Sequence, residues 1–98
     1  MQPIRQGDVI LLPLQSEIPG QKLPHLTLAE GEKTGHAHRI STGEAELRSF
    51  NQTLYLSVLS PTATLTHEEH RSIDIPQGQW MIRIQRQYEP DGWRAIED

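Results

Sequence analysis

Cysteine is absent from this 98-residue sequence. Disulfides and thiolate metal sites are thereby excluded, and any metal must be held by nitrogen and oxygen donors. Aromatic residues are scarce, at 5% of the chain. That disfavours binding of single strands by base stacking. Basic residues are few: 9 Lys and Arg stand against 13 Asp and Glu, a net charge of −4 with His neutral. Such a surface attracts neither phosphate backbones nor anionic membranes, so nucleic acid and membrane are not expected partners. No apolar run reaches the roughly 18 residues that a membrane span needs. The opening "MQPIRQGDVILLPL" runs from a short polar start directly into a strand pattern, unlike a secretory signal. These absences lead to the expectation of a soluble, cytoplasmic protein with one domain over residues 1–98. A hydrophobic content of 35% makes a lean core. A small closed or rolled sheet, helped by homo-oligomer formation, suits it.

Helical periodicity is also weak, whereas turn residues recur about every ten positions, the rhythm of an all-β domain. Strand patterns cover "GDVILLPL" (7–14), "HLTLAE" (25–30), "HAHRIS" (36–41), "AELRSF" (45–50), "TLYLSVLS" (53–60), "TATLTH" (62–67), "RSIDIP" (71–76) and "QWMIRIQRQY" (79–88). "QSEIPGQKLP" (15–24) is the longest loop, "NQ" at 51–52 is a turn, and Pro61 separates two strands. "THEEH" (66–70) has capping-box spacing and reads as one helical turn or a polar corner. The expected fold is all-β, a small β-barrel or β-roll of about seven to nine short strands.

Residues two apart in a strand share a face. His36 and His38 are in phase with Ile40, and His67 is in phase with Leu65 and Ala63. If those apolar residues face the interior, three imidazoles do too. His70 follows the "EE" corner and can swing to the same place. Burying unpaired polar rings is costly. A divalent ion removes the cost, because neutral imidazole is its common ligand. The pattern points to a three- or four-histidine site for Zn, Fe, Mn or Ni with His36, His38, His67 and His70 as ligands. Glu44, Glu68 and Glu69 are the carboxylates that could complete it.

A second anomaly lies further on. Arg86 and Tyr88 continue the parity of Ile82 and Ile84. They are candidates to line the cavity mouth and hold a small anionic ligand, the guanidinium by forked hydrogen bonds. Glu68 and Glu69 are candidates for proton transfer. Trp80 and Trp93 read as packing or oligomer contacts, and His25, out of phase, as exposed loop. "HEEH" is not HExxH, and no nucleophile elbow is present. Three function classes fit: metal-assisted hydrolysis or lyase chemistry on a small anion, metal-independent His acid–base phosphodiesterase or nuclease chemistry, and a non-enzymatic binding or assembly module.

"GHAHRISTGE" (35–44) resembles the Gly, HxH, Glu metal motif of the cupin superfamily, and "IPQGQW" (75–80) resembles its Ile-Pro-x-Gly turn. That resemblance implies a jelly-roll-like barrel with a metal. Over nearly its whole length the chain is more similar to a group of short, uncharacterised bacterial and phage-borne proteins. They share "GDV", "TGHAHR", "HEEH", an Ile-Pro-x-Gly-aromatic stretch and the segment Gln85, Arg86, Tyr88. The likeness implies one recurring layout for these segments.

Overall fold

The computed structural model describes residues 1–30, 35–89 and 92–95, with backbone alone from residue 86 onward. Its strands are β1 (Ile4–Gln6), β2 (Val9–Leu14), β3 (Gln21–Lys22), β4 (Thr27–Glu30), β5 (Ala37–Thr42), β6 (Ala45–Phe50), β7 (Thr53–Thr66), β8 (Ile73–Ile84), β9 (Arg86–Glu89) and β10 (Gly92–Ala95). No helix occurs among the described residues. None, therefore, is long and apolar enough to cross a membrane.

Eight strands form one antiparallel sheet in the order β1-β2-β8-β7-β5-β4, with β6 and then β3 branching from β7. Strands β9 and β10 form a separate ribbon. The all-β expectation holds. Among the described residues no ladder joins β1 to β4, so the sheet is open and not a closed barrel.

Two strands are longer than the sequence pattern suggests. The expected segments 53–60 and 62–67 are one strand, β7, and "IPQG" lies within β8 instead of forming a turn. The physical reason is a register shift between β7 and β8 from Val58 to Thr62. Pro61, which has no N–H to donate, falls inside this unpaired step and does not end the strand. Gly78, at φ 143, sits beside the step opposite Val58. The shift lets one strand serve two neighbours on its other edge. Residues 53–58 pair with β6, and residues 64–66 pair with β5.

One hydrophobic cluster joins the halves: Val9 and Leu11 from β2, Leu28, Ile40, Leu47, Leu56 to Leu65 along β7, and Ile75, Trp80 and Ile82 from β8. Each such side chain stabilises by about 1.5–3 kcal/mol on full burial. Trp80 is wholly buried, with its indole N–H donated to Pro76 O at 3.2 Å. It is packing, as the sequence suggests.

Tight turns set the register. Asn51 and Gln52, at φ 50 and 66, make the β6–β7 turn, the primed type that matches strand twist. Gly7, at φ 60, opens the β1–β2 turn between paired Gln6 and Val9. This second turn positions the site. Gln85 N–H donates to Asp8 O at 2.8 Å, and the Gln6 amide donates to Leu65 O and Arg71 O at 3.0 and 2.9 Å. The turn is thereby pinned to the ends of β7 and β8.

Candidate metal centre

Alternation delivers the rings as the phase argument expects. Ala63 and Leu65 are buried along β7, and His67, one residue past its end, is 7% exposed. On β5, His38 is 0% and Ile40 7% exposed. His36 precedes β5 and is half-buried, its side chain 20% exposed. Residues 68–70 form a bend, not a helical turn, and the bend carries His70 back over the others.

The four imidazoles meet. Ring centroids are 4.3 Å apart for His38 and His67, 4.8 Å for His67 and His70, 5.6 Å for His36 and His67, and 6.0 Å for His38 and His70. His67 is the hub. Donor atoms of His36, His67 and Glu68 all lie within 4.8 Å of one another, a group that could hold a metal ion. The Nε2 atom of His70 and Nδ1 of His36 are enclosed, with no hydrogen-bond partner among the described residues.

The carboxylates differ in what they can do. Glu68 Oε1 accepts from Ala37 N–H at 2.8 Å, and Oε2 accepts from Arg39 at 3.5 Å. Its pKa is lowered, first by the Ala37 N–H, then by its own backbone N–H, against a smaller opposing effect of burial, with further lowering by Arg39 and His67. A carboxylate held in its charged form is a better ligand than base. Glu69 Oε2 stands 3.9 Å from His36 Nδ1, and its side chain is 43% exposed. Its backbone N–H donates to His67 Nδ1 at 3.0 Å. Glu44 is elsewhere. It lies beyond the far end of β5, where its backbone bonds Ser60 and Leu59. At about 3.3 Å per strand residue it is about 20 Å from His38 along the chain. The structure does not bring it to the histidines. The side chains of Arg86 and Tyr88 lie outside the described residues. Arg39 is exposed on the outer face and His25 is exposed, as parity suggests.

Two residues escaped the sequence reading. Gln6 and Asp8, each 2% exposed, flank Gly7 in the β1–β2 turn and face His38. The Gln6 amide nitrogen is committed to two carbonyls, so its oxygen faces His38 Nδ1 at 2.8 Å and must accept from it. His38 Nε2 is 3.4 Å from Asp8 Oδ1. "QGD" has no periodicity to read. The only available signal was a polar pair bracketing a turn glycine immediately before a buried strand.

The chain belongs to a protein family described as a domain of unknown function, DUF8820, whose match spans residues 5–85. That span takes in the β1–β2 turn and all four clustered histidines. No curated protein and no solved structure matches the chain.

Proposed function

We propose that this protein binds a divalent metal ion through its histidine cluster, with His36, His67 and Glu68 as ligands, and uses it for hydrolytic or lyase-type chemistry on a small anionic substrate. The observation that carries the reading is the approach of those three donor atoms to within 4.8 Å, beside two further imidazoles. Four clustered rings cannot all be protonated without mutual repulsion. An imidazole lone pair suits Zn²⁺, Fe²⁺, Mn²⁺ or Ni²⁺; that of His67 on Nδ1 accepts the Glu69 N–H at 3.0 Å, so an ion taken up at His67 displaces that bond. Three protein donors leave coordination positions for water, whose pKa such an ion lowers. Glu69, half-exposed and 3.9 Å from His36, is the carboxylate on hand to move a proton. Glu68 supplies charge, since its pKa is held down by the Ala37 N–H.

The test is metal analysis of tag-free protein, with thermal melts before and after added Zn²⁺ or Mn²⁺, on wild type and His67→Ala. The reading expects bound metal and a raised Tm in wild type only. Protein that purifies without metal, with a Tm unmoved by either ion, contradicts it.

A further inference from the structure

Resting on that reading, we propose that Asp8 and His38 also ligate a divalent cation, Asp8 through Oδ1 and His38 through Nε2. Both are interior residues, His38 at 0% and Asp8 at 2% exposure. The ring's chemistry is fixed from behind. Gln6 spends its amide hydrogens on Leu65 O and Arg71 O, so it can only accept from His38. His38 therefore carries a proton on Nδ1, and in the neutral ring Nε2 bears the lone pair. This is the arrangement that prepares a histidine for metal, an outer hydrogen bond fixing tautomer and orientation.

The lone pair faces a carboxylate oxygen at 3.4 Å. A charge-assisted N–H to carboxylate bond is about 2.7–2.9 Å long. Two ligands bonded at 2.0–2.1 Å to a tetrahedral ion stand about 3.3–3.4 Å apart. The observed separation has the span of a shared cation. The ring of His38 lies 4.3 Å, centroid to centroid, from that of His67, so the Asp8–His38 pair stands beside the His36, His67, Glu68 group without being part of it. A carboxylate oxygen beside an imidazole nitrogen is a donor set that suits a divalent transition-metal ion.

The probe is Co²⁺, titrated into tag-free wild type and Asp8→Asn while its visible absorption is followed. The expected result is tight binding in wild type and at least about tenfold weaker binding in Asp8→Asn. An altered band pattern in the variant is expected as well. Equal affinity and an identical spectrum in Asp8→Asn overturn the inference while leaving the histidine site standing. No binding by wild type overturns the proposed function itself. If Asp8→Asn fails to fold, ¹⁵N-resolved imidazole spectra of wild type decide the matter. The inference expects His38 to be protonated at Nδ1 alone and its Nε2 signal to shift on adding Zn²⁺. A doubly protonated His38 at neutral pH that ignores Zn²⁺ overturns it.

Discussion

Gln6→Met removes the hydrogen bonds that fasten the β1–β2 turn to the site while keeping the side chain's volume. Gln6 is 2% exposed, and it bonds Leu65 O at 3.0 Å, Arg71 O at 2.9 Å and His38 Nδ1 at 2.8 Å. In the variant the His38 N–H stays enclosed without its acceptor, at a cost of about 1–3 kcal/mol. Leu65 O loses a bond worth about 1 kcal/mol. Arg71 is exposed, so water replaces its partner at little cost. The sum is about 3 kcal/mol, which lowers Tm by about 15 °C for a domain of this size. Urea denaturation in excess chelator measures it free of metal linkage. A Gln6→Met protein within about 0.5 kcal/mol of wild type would refute the claim that Gln6 holds the turn and sets the His38 tautomer.

Glu68 has a pKa below its ordinary value of 4.5, so it contributes stability that is complete above that value and lost as pH falls through the folded-state pKa. Glu68→Ala is therefore expected to flatten the acid limb of a stability–pH curve, and an unchanged limb below pH 4.5 counts against the Ala37 contact. Glu44→Ala should leave metal affinity within about twofold, because distant sites act independently. A larger loss in isothermal titration would put Glu44 back at the site. At Gly43, φ is 94 and an added Cβ would meet Thr62 O at 2.6 Å. Gly43→Ala should cost about 2–3 kcal/mol in urea denaturation, and a neutral result would contradict the close approach of that turn to β7.

Much of the site was legible in the sequence because strand alternation carries phase across a gap. Ile40 and Leu65 are core residues and also direct β-ladder partners, so His38 and His67 enter the same interior from adjacent strands. Phase does not fix His70, since the bend at 68–70 breaks parity. Gln6 and Asp8 were not legible, because what brings them to His38 is the seating of a turn on strands that lie far along the chain. Local pattern holds no trace of that contact. The length of β7 and β8 is hidden from local pattern for a related reason. Pro61 and the Pro76–Gly78 stretch look like breaks, but the β7–β8 register shift leaves Pro61 without a ladder bond to spoil. Glu44 closes the stretch that resembles a metal motif, yet β5 ends at Thr42 and Glu44 lies beyond it, at the end of the strand away from His38.

The central claim is that His36, His67 and Glu68, within the histidine cluster, hold a divalent ion. Metal content per chain in protein purified without a tag or chelator tests it most directly. The account predicts about one equivalent or more of a single transition metal, lost together with a substantial part of the thermal stability in His67→Ala. Metal far below one equivalent, with wild-type and variant melts alike unaffected by Zn²⁺ or Mn²⁺, would contradict it.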